Sequence, residues 1–434
     1  MLERTLELAR GAGATAADAL LRDTETLTIS FEAGRLKTTG LSQEAGLNLR
    51  VLAGGRVGAA GTTDLAGTED VAARALASAA EGEPLELELP GPAPAPPVTT
   101  FDDRAAGMAV EDLAALGRSV VEQLKRSGWQ VNVTVERVVQ STSFASTTGQ
   151  HFAYRATAVS VSAEVTRVAG DDVLMAYDVA AGVAPPGDGT LATLATTIVT
   201  KIERSERIVE PPEGRLPVLF TPWGCTAVLM PVRQALSGKT VLQGISPLGA
   251  RLGESVFSTA LSLYDDPLLD GAVGSRPVDD EGVPSAPLAL IERGVVRSFV
   301  YDLETATRAG ARSTGHGTRT VFGKPAIGYS NLLIAAGTMD ETALLAELGS
   351  GLVVDELIGV GQGNVVGGAF SHPVALAWRV DGGELTGRVK EATVAGNAYD
   401  LLSRIRAVGK ERRWIGTQLI PALVLEDVSV ARRG

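Results

Sequence analysis

Residues 46–63 read GLNLRVLAGGRVGAAGTT. Leu47, Leu49 and Val51 alternate with polar or small neighbours, the pattern of a strand with one buried face. Gly54-Gly55 sits where a tight turn reverses the chain, so the stretch reads as a β-hairpin. Just upstream, LTISFEAGRLKTT (27–39) repeats the arrangement around Ala33-Gly34. Further out, residues 2–10 carry Leu2, Leu6, Leu8 and Ala9, a short helix stopped by Gly11 and Gly13. Thr68 to Ala80 reads as a second helix, with Thr68 as N-cap and Asp70 in its first turn.

Residues 130–180 extend the β pattern. Val131, Val133 and Val135 alternate, as do Val159, Val161, Ala163 and Val165, and Thr148-Gly149 and Gly170-Asp171 punctuate them. This predicts an antiparallel meander with one wet face. Helices are expected at 101–128, where Leu113, Leu116, Val120 and Leu124 keep helical spacing and Gly128 is a stop, and at 190–206. From about 215 the chain mixes short strands with helices at 341–351 and 398–409, and 422–431 reads as a final strand. The fold class is α+β, with no internal repeat at a fixed period. PGPAPAPPV (90–98) holds five prolines in eight positions and favours extended chain over helix. With Pro211-Pro212 as a second break, the expected units are 1–89, a linker at 90–98, 99–212 and 213–434.

Composition limits the chemistry. The 434 residues carry a net charge of −12, which argues against nucleic acid as a partner, and 4% aromatics leave little for base stacking. There is one cysteine, so no intrachain disulfide or cysteine-rich metal site, and only three histidines. The N-terminus MLERTLELAR has no apolar core of a signal peptide, and no stretch is long and apolar enough to cross a membrane. The expected location is the cytoplasm. Fifty glycines, about 12% against a usual ~7%, are spread along the chain and mark many tight turns.

Familiar motifs are absent. None of His151, His316 and His372 has a neighbouring Glu or another His within a helical turn. His316 in the Gly-flanked loop STGHGTR and His372 in FSHPVALAW are candidates for a functional role, each alone or in a composite site with Cys225. Cys225, opening the apolar run TPWGCTAVLM, reads as a buried inert thiol. SGKT (237–240) lacks the first P-loop glycine, because Arg233 stands there, and GVGQGNVVGG (359–368) matches a dinucleotide loop only loosely. GISPLG (244–249) has Leu248 where a nucleophile elbow needs glycine. Asp279, Asp280 and Glu281 form the densest acidic cluster. They would suit a hard cation such as Mg²⁺ or Ca²⁺, but the preferred reading is a solvated turn, or carboxylates paired with nearby arginines such as Arg276 and Arg293.

The segments together resemble the TldD/PmbA family, on its PmbA (TldE) side. The likeness rests on GLNLRVLAGGRVGAAGTTDL (46–65), on SLYDDPLLDGAVGSRPVDDEGVPSAPLALIERGVVRSFVYDLETATRAGARSTGHGTR (262–319), on 329–359, and on VKEATVAGNAYDLLSRIRAVG (389–409). It implies an N-terminal α/β two-layer domain with hairpins and a larger β-rich C-terminal domain with antiparallel and mixed sheets. It also implies a heteromeric peptidase in which the TldD subunit holds zinc through an HExxxH helix and a distant Cys. Here the corresponding segment reads MPVRQA, with Met230 and Ala235 at the ligand positions and Pro231 at the base position. No His occurs between 152 and 315, and GKERRWIGTQLIP (409–421) has no Cys. Methionine alone does not build a catalytic zinc site.

The expectation is therefore a chain with no catalytic residue and no bound cofactor. It would act as the non-catalytic partner of a TldD-like, zinc-bearing subunit, as a heterodimer or higher heteromer. The substrates would be small or unfolded peptides. Two alternatives stand beside it: an active hydrolase using His316, His372 and Asp279–Glu281, or a homodimer or larger homo-oligomer that binds peptides as a scaffold.

Overall fold

A computed structural model describes residues 1–432; the last two residues of the expected 213–434 unit lie outside the described residues. The first part runs α1 (Leu2–Gly11), β1 (Ala16–Glu32), β2 (Arg35–Ala53), β3 (Arg56–Thr62), α2 (Glu69–Ala80), α3 (Asp103–Ala106), α4 (Val110–Leu124), β4 (Trp129–Ser146), β5 (His151–Ala169), β6 (Asp172–Gly182) and α5 (Asp188–Arg204). The second part begins β7 (Ile208–Val209), β8 (Gly214–Phe220), α6 (Pro222–Ala235), α7 (Gly238–Leu242), β9 (Leu263–Asp265), β10 (Leu288–Glu292), β11 (Val295–Val296), α8 (Leu303–Ala309), β12 (Gly317–Thr318), β13 (Ala326–Ile327) and β14 (Leu332–Ile334). It closes with α9 (Glu341–Leu348), β15 (Gly351–Leu357), β16 (Ala369–Asp381), β17 (Glu384–Val389), β18 (Ala392–Asn397), α10 (Ala398–Leu402), β19 (Ile405–Ile415) and β20 (Gln418–Arg432).

The first six strands form one antiparallel sheet in the order β3-β2-β1-β4-β5-β6. The hairpins at Ala33-Gly34 and Gly54-Gly55 are as the sequence predicts, and so is the 130–180 meander. The division at 90–98 is not. β1 pairs with β4 from Asp18↔Ser146 to Phe31↔Val133, so a single sheet takes strands from both sides of the proline run. That run is a strap rather than a free linker. Leu85, Leu87 and Leu89 ahead of it pack with Leu52 and Val57, Pro90 accepts from the Thr148 hydroxyl, and Ala93 bonds Gln150. Pairing β1 with β4 buries both strands' backbone groups, which a two-domain split would leave needing other partners.

Three helix expectations also change. The 101–128 helix breaks at Gly107–Ala109 into α3 and α4, and it ends at Leu124, where Lys125 turns extended. Gly128 instead serves the turn into β4 with φ +77°. Thr68 precedes α2 but makes no side-chain cap. The 398–409 helix stops at Leu402, because Ile405, Ala407 and Val408 pair with β20.

The sheet has two differently used faces. Odd-numbered residues of β1 and β2, such as Ala17, Ala19, Leu47, Leu49 and Val51, pack under α1 and α2. Further along the same face, Leu27, Ile29 and Phe31 join Val131, Val133, Val161 and Val165 under α4 and α5. The helices α4 and α5 are in turn covered by Leu219, Val353, Trp378 and Val424 of the second sheet. That sheet is mixed and twelve-stranded, with parallel pairs at β14–β20, β15–β8 and β17–β7. Its other face, through Val218, Phe220, Leu352, Val354, Leu423 and Leu425, packs α6. The order of layers is sheet, helices, sheet, α6. Each fully buried Val or Leu in these layers contributes roughly 1.5–3 kcal/mol, so the stacking dominates the fold's stability. The α+β class and the β-rich second part are as expected. Among the described residues, no helix is long and apolar enough to cross a membrane.

The even-numbered face of β1 and β2 carries Asp18, Arg22, Asn48 and Arg50, and it is buried by turns of the second part. Arg50 donates through Nε to Asp18 at 3.2 Å and through Nη1 to Glu281. Arg319 pairs with Asp18 at 2.8 Å, and Arg22 donates to Asp280 at 2.6 Å. Burial alone would lower the Arg50 pKa, but the carboxylates of Asp18 and Glu281 raise it, so the guanidinium stays charged. Removing one member of such a buried pair strands the other charges. Arg50→Met is expected to destabilise the chain by about 3–5 kcal/mol, read from urea unfolding midpoints, with Glu281 left without its paired cation and Asp18 left with Arg319 alone.

Candidate functional site

The helix that carries Met230, Pro231 and Ala235 is α6. Thr221 caps its start, accepting from the Gly224 N–H, and Pro222 fits the first turn, where no N–H is needed. Gly224 allows the helix to sit directly on β15, since a Cβ there would lie 2.4 Å from the Val354 carbonyl oxygen. Pro231 lies inside the helix and removes one backbone donor, a cost of about 3 kcal/mol in an isolated helix. The buried packing of Val228, Leu229 and Val232 around it offsets that cost. The Tyr399 hydroxyl reaches the carbonyls of Pro231, at 3.2 Å, and Val366, at 2.7 Å.

Met230 and Pro231 line a cavity of about 550 Å³, together with Ala227, Phe370, His372 and the loop 358–365. Ala235 does not reach it; the residue is fully buried in the core beneath the second sheet. The glycine loop approaches the helix closely. Gly361 has φ +90°, and a Cβ on it would lie 3.1 Å from the Met230 sulfur. The sequence motif GVGQGNVVGG is thus neither a nucleotide loop nor a simple turn but the wall facing α6. Gly359, Gly361 and Gly363 all have positive φ, and of the three it is Gly361 whose missing Cβ permits the close approach to α6.

His372 stands on β16 with its ring stacked on Phe370, centroids 5.7 Å apart, and partial burial lowers its pKa. In this cavity the metal donors are one imidazole and one thioether. Among the described residues, no group of three His, Cys, Asp or Glu side chains is arranged to hold a metal ion. The residues present do not fit a catalytic zinc, which takes three protein ligands and keeps a position open.

The other singled-out residues lie elsewhere. Cys225 is fully buried on α6, its Sγ 3.5 Å from the Phe220 carbonyl, and burial pushes its thiol pKa well above the usual range. His316 is buried with both ring nitrogens engaged, Nε2 with Asp265 at 3.2 Å and Nδ1 with the Thr314 carbonyl at 2.8 Å. The structure brings His316 next to the acidic turn, because the Gly317 N–H donates to Asp279, but it does not bring His372 there.

All six carboxylate oxygens of that turn have protein donors. Asp279 Oδ1 accepts from the Glu281 and Val283 N–H groups, and Oδ2 from Gly317, each at 2.9 Å. Asp280 takes Arg22 and the Arg319 N–H, and Glu281 takes Arg50 and the Leu303 N–H. Burial raises the pKa values of Asp279 and Glu281 against the pull of Arg276 and Arg50 respectively. The cluster is the inter-sheet weld described above. Its side-chain partners are Arg22 and Arg50, far off in sequence, rather than Arg276 and Arg293.

Next to Ala227, a second cavity of about 360 Å³ is walled by Glu164, Tyr177, Trp223 and Glu356. Burial pushes Glu356 up to about 7 despite Lys201, with Asp355, Glu164 and Asp178 adding to the effect. Between its ordinary value of 4.5 and about 7, the folded chain holds a proton that the unfolded chain has released. Stability from this group is therefore full below pH 4.5 and is lost as pH rises through 7. Relative to Glu356→Gln, the wild type should lose about 3 kcal/mol between pH 4.5 and 8, measured as the pH dependence of the difference in unfolding free energy.

Comparison with known proteins places the chain in a family. The model described as PmbA/TldA metallopeptidase C-terminal domain matches residues 213–432, and that described as PmbA/TldA metallopeptidase domain 1 matches 17–80. A metalloprotease of Methanocaldococcus jannaschii is 32% identical over 201 residues, which is 46% of this chain and 44% of the relative. A Haemophilus influenzae metalloprotease PmbA homolog is 30% identical over 197 residues, 45% of this chain and 41% of the relative. The aligned region thus spans less than half the length of either curated relative. The fold is shared over the whole length with TldE from Thermococcus kodakarensis: TM-score 0.88, 99% of this chain and 99% of that one, at 23% identity. The helix α6, whose Met230 and Pro231 line this cavity, lies within residues 213–432, and the chain belongs to the PmbA/TldD metallopeptidase family.

Proposed function

We propose that this chain is the non-catalytic, TldE/PmbA-like subunit of a heteromeric zinc metallopeptidase, and that it shapes the chamber in which a TldD-like partner cleaves small or unfolded peptides. The observation that carries the reading is α6. Its ligand and base positions hold a thioether, a proline and a core-buried alanine, and the cavity beside them offers one imidazole. Zinc is then the partner's, and this chain contributes walls.

The walls suit an extended peptide. β15 pairs with β16 only from Gly351↔Val380 to Leu357↔Val374, while β18 pairs with 369–373 on the other side. One edge of 369–372 is therefore without a strand beside it among the described residues, and these residues line the Met230 cavity. A peptide can add there as a strand through main-chain hydrogen bonds, which suits unfolded chains of varied sequence. The single cysteine read from the sequence fits a reducing, cytoplasmic setting. An active hydrolase built on His316, His372 and Asp279–Glu281 is less well supported, since His316 and the acids have their polar atoms satisfied and His372 lies at another cavity.

The purified chain is expected to show no peptidase activity on an unfolded peptide. Mixed with a TldD-like protein carrying HExxxH, it should co-elute on sizing and raise that protein's turnover. Turnover by the chain alone, or a homo-oligomer that does not exchange into the heteromer, would overturn the assignment; the second result would favour a scaffold.

A further inference from the structure

The accessible stripe of α6 continues past Met230. After Pro222, the partly exposed residues of the helix are Trp223, Thr226, Met230 and the adjacent pair Arg233 and Gln234, in steps of three or four positions along one face. Beyond Met230 this stripe meets a separate cavity of about 350 Å³, lined by Arg233, Gln234, Ser237, Tyr329 and Thr417 among others. The Arg233 guanidinium lies 5.5 Å from the centre of the Tyr329 ring, while the Tyr329 hydroxyl donates to the Arg233 carbonyl and fixes that ring.

Apart from the Tyr329 hydroxyl, the polar side chains of this cavity have no hydrogen-bond partner among the described residues. Among the described residues, no carboxylate lies within 4 Å of Arg233, whereas Arg50, Arg319, Arg388 and Arg413 are all paired. The side chains of Gln234, Ser237 and Thr417, like that of Arg233, make no hydrogen bond to another described residue. One half-buried cation, one amide and two hydroxyls thus converge on a space with no acidic lining residue. A carboxylate fits this set, because the planar guanidinium gives it two parallel donors.

We propose that this cavity holds the terminal carboxylate of a short peptide whose preceding residues run along α6 toward Met230 and His372. The proposal rests on the peptide-chamber reading above and adds a direction to it. Arg233 is three residues beyond Met230, a rise of about 4.5 Å along the helix, and an extended residue covers about 3.3 Å. One or two peptide residues therefore separate the carboxylate from the Met230 cavity. A peptide bound this way is read by its end as well as by its backbone.

The test uses the full chain and a dye-labelled hexapeptide without Asp or Glu, prepared as the free acid and as its C-terminal amide, with binding read by fluorescence anisotropy. The free acid should bind about tenfold tighter than the amide. Arg233→Gln should bring the two to within about twofold of each other, and Arg233→Lys, which keeps the charge but not the fork, should retain part of the difference. Equal binding of acid and amide by the wild type, or an undiminished preference in Arg233→Gln, overturns the carboxylate anchor and leaves the peptide chamber standing. Binding of neither form, with or without the TldD-like subunit, overturns both.

Discussion

Arg50 is the group on which the arrangement of the two sheets depends. It is among the largest fully buried side chains, it lies on the face of the first sheet away from the helices, and it bridges Asp18 of its own sheet to Glu281 of the second part. A buried guanidinium is tolerated only when anions and acceptors surround it, so its position fixes where the turn 278–284 must sit. That turn then fixes more. Glu281 holds the start of α8 through the Leu303 N–H, and Asp279 and Asp280 hold 317–319 through the Gly317 and Arg319 N–H groups. Packing supplies most of the stability; this polar weld selects one way of stacking the layers.

The other constraint is the helix α6 on the far side of the second sheet. Its inward residues Cys225, Val228, Leu229, Val232 and Ala235 are committed to the core, which leaves a single stripe free for chemistry. A metal site needs donors that converge, and Met230, Pro231 and Ala235 do not. Met230 and Pro231 face the cavity and Ala235 is packed away. What survives is shape: a glycine loop closing on the helix, an open strand edge, and polar cavities on either side.

Much of this was legible in the sequence, and the misses share a cause. Hairpins at Ala33-Gly34 and Gly54-Gly55 are local, so alternation and turn residues found them. The β1–β4 pairing joins residues more than a hundred positions apart, and no local signal announces it, so the proline run looked like a boundary. In 398–409, Leu401, Leu402 and Ile405 fit a helix while Ile405 and Ala407 also fit a strand, and the neighbour β20 decided in favour of the strand. The acidic turn reads from the sequence as solvated or paired with the nearby Arg276 and Arg293; it is instead buried and paired with Arg22 and Arg50 of the first sheet, which no spacing could name. Likewise the Arg233 cavity gathers residues from around 235, 329 and 417, and each is unremarkable in its own segment.

The central claim is that α6 and the cavity at Met230 and His372 hold no catalytic zinc. Metal analysis of the purified full chain, loaded with excess zinc and then desalted, tests it most directly. The account predicts far less than one zinc per chain and no change when Met230 or His372 is replaced by alanine. One tightly held zinc per chain, lost in those variants, would contradict it.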